Sequence, residues 1–250
     1  MSNGPGVQSV DRAIDLLEIM TDLGGDAALS ELASSSGLPL PTIHRLMRTL
    51  VLRGYARQLP SRRYTLGPRL IRLGESAGRQ LGAGARPHLE RLVRELGESA
   101  NLAMIDRDMA VYVAQASSNH SMRTFTEVGR RVYCHCTGVG KAVLAQLPEV
   151  TVREIVARVG MPPATDRSIT GVEALLAEMD KVRSQGYAVD DGEQEIGVRC
   201  FAVPVPHAPT PSALSVSGPS ARVSFEFGEA ALPLLHEMAG RISTELITAR

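Results

Sequence analysis

Residues 29–66 carry the pattern that most constrains this chain: two short helices joined by a tight turn, then two strands around a basic turn. At about 100° per residue, the second helix separates its side chains onto two stripes. The apolar stripe comprises Ile43, Leu46, Met47 and Leu50. The opposite stripe comprises Pro41, His44, Arg45 and Arg48. A helix that follows a turn and exposes a row of donors is typical of a helix that lies in the DNA major groove.

The charge of this part of the chain is asymmetric, although the whole chain carries a formal net charge of zero. Residues 39–79 contain nine arginines and one acidic residue, Glu75, an excess of eight positive charges that favours phosphate binding. The alternative is an ordinary helical subdomain whose arginines are merely solvated, and the basic turn between the strands favours DNA binding over it. The predicted DNA contacts are Pro41, Thr42, His44, Arg45, Arg48, Arg62 and Arg63.

These predicted contacts differ in what they can reach. Arg45 and Arg48 are the strongest candidates, because a guanidinium can bind guanine through two hydrogen bonds. Thr42 and His44 can donate to a phosphate or to a base edge. The arginine pair at the tip of the strand turn would reach flanking phosphate or the minor groove.

The rest of the chain mixes helix and strand patterns without βαβ regularity. Strands are predicted at 102–106, 110–116, 122–128, 187–191, 199–206 and 212–219. Helices are predicted at 7–23, 68–81, 86–96, 138–147, 171–186 and 232–246. This arrangement predicts an α+β protein of two domains, the first helical and basic, the second built on a sheet.

The segment VYCHCTGVGKAVL, residues 132–144, allows three interpretations. A metal site would draw on Cys134, His135, Cys136 and Cys200, with His120 nearby. On a predicted strand, however, neighbouring side chains point to opposite faces, and the usual Cys-x2-Cys spacing of zinc sites is absent. A catalytic cysteine beside the histidine is also conceivable, but no base or oxyanion constellation accompanies it.

The third interpretation is anion binding at the glycine turn 137–140, where backbone N–H groups stand at the start of a helix. The alternative is that these glycines only allow the helix to pack closely. Lys141, one turn into this helix, is expected on a solvated or salt-bridged face rather than in a pocket.

Two further clusters have simpler alternatives to a functional role. Asp190, Asp191, Glu193 and Glu195 could serve a metal or acid–base chemistry, but such a run is more often a solvated loop. Two serines of the segment SALSVSGP share one face of a predicted strand, where small residues also permit close sheet contacts.

Taken together and in this order, several segments resemble the IclR family of bacterial transcription regulators. They span nearly all of residues 7–223. The segments are VQSVDRAIDLLE, SELASSSGLPLPTIHRLMRTLVLRGY, YTLGPRL, SMRTFTEVGRRVYCHCTGVGKAVLAQL, GYAVDDGEQEIGVRCFAVPV and ALSVSGPSARV.

The resemblance implies a winged helix-turn-helix DNA-binding domain at 7–67, a helical linker at 68–84 and an effector-binding domain at 85–250 that resembles the GAF fold. Residues 1–6 are predicted to be disordered. The resemblance also implies dimers, often paired into tetramers, on palindromic or repeated operators. The effectors it implies are small organic acids and related metabolites. The effector contacts it implies are Gly138, Val139, Asp190, Cys200, Ser215 and Ser217.

Asp190 restricts the class of effector. A buried aspartate repels an anionic ligand unless it accepts a hydrogen bond or is protonated. We therefore expect an effector that carries a hydroxyl, hydrated carbonyl or N–H donor beside its acid group. Glyoxylate-like acids and ureide-type intermediates meet this condition.

The predicted function is a transcription regulator, a repressor, whose operator affinity responds to such a metabolite. The alternatives are an activator of the same family and a metal- or cysteine-dependent enzyme with an accessory DNA-binding module. Neither a cofactor nor a metal nor a membrane partner is predicted. The chain has no apolar run of about 18 residues and no secretory signal pattern, which predicts a cytoplasmic location.

Overall fold

The computed structural model of this protein describes residues 6–81, 83–121 and 126–248. The chain divides into two compact units, Met1–Ala77 and Gly78–Arg250, which we call the N-terminal and C-terminal units. The division falls inside the predicted linker, and each unit has its own buried apolar cluster. The predicted two-domain α+β fold is confirmed.

The N-terminal unit consists of three helices, a small antiparallel sheet and the start of a fourth helix. The helices are α1 (Gln8–Asp22), α2 (Leu29–Ser36), α3 (Leu40–Leu52) and α4 (Arg69–Leu81). The strands are β1 (Asp26–Ala27), β2 (Ala56–Gln58) and β3 (Tyr64–Leu66), with β3 in the centre. This order is that of a winged helix-turn-helix.

Local chemistry sets the ends of the two central helices. The carboxylate of Glu31 accepts the N–H of Ala28 at 2.7 Å, which satisfies one of the free donors at the start of α2. Gly37 ends α2 with φ of 66°, a left-handed conformation that glycine adopts at low cost. Pro41 lies in the first turn of α3, where its missing N–H costs nothing. These signals place α3 at the predicted position.

The C-terminal unit contains one six-stranded sheet in the order β6-β5-β4-β9-β8-β7, antiparallel throughout. Its strands are β4 (Ser99–Asp106), β5 (Met109–Ala116), β6 (Arg131–Val132), β7 (Ala188–Asp191), β8 (Val198–Pro204) and β9 (Ser212–Pro219). Its helices are α5 (Arg86–Leu96), α6 (Gly138–Leu144), α7 (Glu149–Val159), α8 (Val172–Gln185) and α9 (Phe225–Thr248), and a 3₁₀ turn, Ala83–Ala85, precedes α5.

Helices cover both faces of this sheet. α5 and α9 pack on the face that carries Leu102, Phe201 and Leu214. α6, α7 and α8 pack on the other face, where small residues such as Ala202 and Ala213 leave room for α6. Residues two positions apart on a strand point to the same face of the sheet. Each central strand therefore contributes side chains to both apolar clusters. The second face also carries the polar residues of the candidate site.

The structure differs from the sequence prediction at three places in the C-terminal unit. Residues 122–125 of the predicted strand 122–128 lie outside the described residues, and 126–128 form no strand. Cys134 to Cys136 form a turn rather than a strand, because β6 ends at Val132 and α6 begins at Gly138. The predicted strand at these cysteines is wrong, so their side chains do not alternate between two sheet faces. The helix α7 was not predicted.

No helix in the described ranges is both long and apolar enough to cross a bilayer. The longest, α9, runs over Phe225–Thr248 and contains charged residues along its length.

Candidate DNA-binding surface and effector site

The exposed face of α3 carries most of the predicted DNA contacts. Pro41, His44, Arg45 and Arg48 are exposed and Thr42 is half-buried, whereas the apolar stripe of the same helix packs into the core. Among the described residues, neither of these arginines forms an ion pair. Their guanidinium groups can therefore meet a phosphate or a base edge without breaking an internal contact.

The two arginines at the wing have different surroundings. Arg62 is exposed at the turn between β2 and β3, with φ of 65°. The Arg63 guanidinium instead contacts Asp26 at 2.5 Å and Glu31 at 2.9 Å. Hydrogen bonds to these carboxylates raise the pKa of Arg63, and the pKa of Glu31 is lowered by the Ala28 N–H and by Arg63. Arg63 thus ties the wing to the helix-turn-helix.

In the C-terminal unit, the first turn of α6 packs directly on the sheet. A Cβ on Gly138 would lie 2.9 Å from the Cys200 Sγ, and one on Gly140 would lie 2.3 Å from the Cys134 Cα. The Thr137 hydroxyl donates to the Tyr133 carbonyl at 2.8 Å and accepts the Gly140 N–H at 3.2 Å. Any larger residue at Gly138 or Gly140 would clash with these neighbours. The glycines therefore allow α6 to pack closely, which was the alternative to anion binding.

The backbone donors at this helix start are only partly satisfied. Within the described residues, the N–H groups of Gly138 and Val139 have no acceptor, whereas those of Gly140 and Lys141 bond to Thr137. Such free donors favour a negatively charged or carbonyl oxygen. Because α6 is short, these donors need the sheet residues beneath them to define a site.

Strand register places polar side chains in two rows on the sheet face beneath α6. In the first row, the paired residues are Asp190, Cys200, Ser217 and Ser99, on β7, β8, β9 and β4. In the second row, the paired residues are Ala202, Ser215 and Asn101, on β8, β9 and β4. All are buried. Four of the six residues implied by the resemblance, those on β7, β8 and β9, are therefore neighbours on the sheet. The other two, Gly138 and Val139, begin α6, which packs on Cys200.

Asp190 is held by the loop that follows β7. Its carboxylate accepts the Glu193 N–H at 2.7 Å and the Gln194 N–H at 3.3 Å. Burial raises the pKa of Asp190 to about 7, although these two hydrogen bonds oppose the shift. Near neutral pH this group therefore exists in both charged and protonated forms, and the protonated form can donate to an anion.

The interpretation of residues 190–195 as a solvated loop was wrong for Asp190 and Glu193, both of which are buried. Glu193 contacts the Lys141 Nζ, which also lies 3.1 Å from Glu178 of α8. The Lys141 side chain is 1% exposed. The lysine therefore forms a salt bridge, as expected, but it does not lie on a solvated face. The ion pair anchors the first turn of α6 to the β7–β8 loop and to α8.

The cysteines offer neither a metal site nor a nucleophile. Burial raises the pKa of Cys134, Cys136 and Cys200 to about 12 each, so these thiols stay protonated. The His135 Nε2 donates a hydrogen bond to the Pro162 carbonyl at 3.0 Å. Across the described part of the chain, no group of three or more metal-ligating side chains converges.

Comparison with known proteins decides the family. The family model described as "IclR helix-turn-helix domain" matches residues 9–60, and the one described as "Bacterial transcriptional regulator IclR C-terminal" matches residues 77–244. The chain belongs to the IclR family. It is thus a DNA-binding transcription regulator and not an enzyme.

Individual IclR-family proteins are similar over most of their length. The Transcriptional repressor IclR of Escherichia coli strain K12 is 34% identical over 87% of this chain and 82% of its own. The HTH-type transcriptional regulator BhcR of Paracoccus denitrificans is 33% identical over 88% and 80%. The crystal structure of an IclR transcriptional regulator from Alicyclobacillus acidocaldarius has a TM-score of 0.85 at 30% identity, covering 97% of this chain and 100% of that one.

Sequence reasoning missed some buried polar residues of this IclR-family regulator. Asn101 and Ser99 lie on the same sheet face as Ser215 and Ser217, and the Asn101 Nδ2 donates to the Ser217 Oγ at 3.4 Å. Only strand register brings them there. A weak signal was present, since polar residues precede the apolar run of the predicted strand at 102–106.

Proposed function

We propose that this IclR-family regulator is a repressor whose affinity for operator DNA falls when a small organic acid binds in the C-terminal unit. The observation that carries the proposal is the buried polar face beneath α6, a desolvated site suited to a small anion. Its mechanism is a population shift, in which the effector favours one state of the sensor and changes the spacing of two recognition helices. An effector that binds one state more tightly than the other by a few kcal/mol is enough to shift this equilibrium.

The proposed DNA contacts are made by α3 and the wing. Arg45, Arg48 and His44 reach the major groove, together with Thr42 and Pro41 at the start of the helix. Arg62 contacts flanking phosphate from the wing tip. Because the guanidinium of the neighbouring wing arginine, Arg63, is engaged by two carboxylates, we assign it the task of holding the wing in position.

The proposed effector is a small carboxylate or ureide-type compound. The free N–H groups of Gly138 and Val139 receive its carboxylate or keto oxygen. The protonated form of Asp190 donates to it, or the charged form accepts a hydroxyl or N–H from it. Cys200, Ser215 and Ser217 complete the lining.

Self-association is part of the proposal, because a palindromic operator requires two recognition helices. The N-terminal unit has an apolar groove of about 610 Å³ between α1, α3 and the first turns of α4. Val10, Ile14 and Leu73 line it with about half of their surface exposed. A second copy of the chain would bury the apolar residues of α1 and α4 in this groove. We expect Ile14→Glu to shift the sedimenting species toward monomer, whereas Val150→Glu, at an exposed position of α7, leaves it unchanged.

The test of the proposed function is binding to the DNA upstream of its own gene, across a salt series, with and without glyoxylate. Sequence-selective binding with a steep negative log–log salt slope indicates phosphate anchoring by arginine. Release by glyoxylate supports the repressor and the acid effector together. Tighter binding with glyoxylate would instead favour the activator, and binding without any response would refute a glyoxylate-like effector.

A further inference from the structure

The first turn of α3 exposes an apolar surface at the end where a recognition helix contacts base edges. Leu40 is 52% exposed, and Pro41 beside it is exposed as well. Among the described residues, Leu40 takes no part in the apolar cluster of the N-terminal unit. Packing within this unit therefore does not account for a leucine at this position.

The backbone of this turn offers little to a phosphate. The N–H groups of Thr42 and Ile43 both bond to the Pro39 carbonyl, at 2.9 and 3.1 Å. Proline has no N–H group, so neither Pro39 nor Pro41 contributes a donor. Within the described ranges, no side chain caps the helix and only the Leu40 N–H stays free in its first turn. The turn is therefore an apolar surface rather than an anion site.

The surroundings of this apolar turn favour DNA as the molecule that covers it. His44 and Arg45 are exposed in the next turn of the helix, and Arg48 is exposed beyond them. Side chains four residues apart share a face of a helix, so the apolar turn lies at the end of this basic stripe. An apolar partner would desolvate these cations without pairing them, whereas a DNA duplex supplies phosphates beside its bases.

One apolar substituent is present on the base edges of the major groove, the methyl group of thymine. The other groups there are hydrogen-bond donors and acceptors, which a leucine side chain cannot satisfy. We propose that Leu40 contacts a thymine methyl group of the operator and is a specificity-determining residue of DNA recognition. This inference rests on the proposed function, since it takes α3 to lie in the major groove.

The experiment is a thymine-to-uracil scan of DNA sites that the full-length protein selects from a random duplex library. Deoxyuridine pairs like thymidine and keeps its O4 acceptor, so each substitution removes only a methyl group. Fluorescence anisotropy measures the affinity for each singly substituted duplex. We expect at least one substitution to weaken binding about fourfold, as the loss of one buried methyl group should. Equal binding with uracil at every position overturns the proposal without any variant.

A salt series distinguishes a methyl contact from a contact to phosphate. The affinity for both duplexes should fall steeply as salt rises, because the arginines release counterions from the phosphates. The ratio of the two affinities should stay constant, because an apolar contact is not screened by salt. A ratio that disappears at high salt would show that the methyl group acts through the charged contacts, and it would overturn the proposal.

Variants then assign the methyl preference to Leu40. Leu40→Ser is expected to reduce the preference at that position to less than about twofold, whereas Leu40→Met keeps a long apolar side chain and retains most of it. Leu52→Ser is the matched control, because Leu52 is a leucine of the same helix that is 76% exposed at its opposite end. It should retain the full preference. A preference that survives in Leu40→Ser refutes the role of Leu40.

Two further outcomes separate this inference from its alternatives. Selective DNA binding without a methyl preference refutes the role of Leu40 alone, whereas failure to select any sequence refutes the proposed function. Sedimentation of Leu40→Ser tests a second copy of the chain as the occupant of the apolar turn. A shift toward monomer with an unchanged methyl preference would show a contact between copies, and the inference would be wrong.

Discussion

The charged groups on the surface of α3 are exposed to solvent, whereas those beneath α6 are buried. Arg45 and Arg48 are exposed, and neither forms an ion pair among the described residues. Lys141 is buried between the carboxylates of Glu178 and Glu193. Two unit charges 4 Å apart interact by about 1 kcal/mol in water and by several times more near or inside a protein.

We attribute this difference to the size of the two proposed partners. A DNA duplex meets the protein over a broad surface, so its cationic contacts remain hydrated until binding and are screened by salt. A small acid must be enclosed, so the groups that hold it are desolvated before it arrives and depend on one another for stability. Changes on the exposed face of α3 are therefore expected to affect binding alone, whereas changes beneath α6 affect folding as well.

The largest effect is expected from Lys141→Met. Removing the ammonium leaves two carboxylates facing each other with little solvent, and breaking such a pair costs about 3–5 kcal/mol. Urea unfolding measures the loss. Lys181→Met is the matched control, because Lys181 is 62% exposed and 3.9 Å from the same Glu178, and it should change stability little. Equal effects of the two substitutions would contradict the distinction between buried and exposed charge.

Asp190→Asn is expected to change how stability depends on pH. Because the folded-state pKa of Asp190 is raised from 3.8 to about 7, its protonated form is favoured on folding. Its contribution to stability is fully present below about pH 4 and is lost as the pH rises through 7, by up to about 1.4 kcal/mol per pH unit.

The asparagine side chain has no proton to lose in this range, so the stability of Asp190→Asn relative to the wild type should increase between pH 4 and pH 7. Thermal unfolding across that range measures it. Asp166→Asn, at an exposed aspartate of the same unit, serves as the control. A difference between Asp190→Asn and the wild type that is constant with pH would show that Asp190 does not titrate in this window.

Arg48→Ala is expected to weaken operator binding by about tenfold or more and to leave the unfolding midpoint nearly unchanged. If Arg48 meets a phosphate, the log–log salt slope falls by about one; if it meets a base, discrimination at one operator position is relaxed. Fluorescence anisotropy in a salt series separates the two. Arg94→Ala, in the C-terminal unit, should change neither quantity.

Arg63→Ala is expected to lower stability only slightly, because partly exposed ion pairs contribute little. Its effect on operator binding should be less salt-dependent than that of Arg62→Ala, since Arg63 acts through the position of the wing. A salt slope that changes as much in Arg63→Ala as in Arg62→Ala would show that Arg63 contacts phosphate directly.

The elements that the sequence predicted well are those whose signals are local. The stripe of Ile43, Met47 and Leu50 and the turn at Gly37 are separated by few residues, and α3 lies where they indicate. The strands β4, β5, β8 and β9 also match alternating or apolar runs. The short β6 and the turn at Cys134 were misassigned, because two-residue pairing with β5 has no pattern of its own.

The candidate effector site depends on information of a different kind. Asp190, Cys200 and Ser217 become neighbours only through the register of three strands, and Asn101 joins them from a fourth strand about 90 residues earlier in the sequence. A shift of one residue in any strand would turn these side chains to the opposite face. The resemblance implied Asp190, Cys200 and Ser217 but not Asn101, and it could not supply the hydrogen bonds or the burial of any of them.

By itself the sequence determined that this protein has a basic helix-turn-helix followed by a sheet domain, because helix periodicity, caps and charge are properties of neighbouring residues. Only the tertiary structure decided which polar groups are desolvated. Arg48 and Lys141 are both cations on helices, yet one is hydrated and the other is enclosed by two carboxylates. The physical reason is that burial depends on the packing of distant segments, here α8 and the β7–β8 loop against α6, which no local pattern encodes.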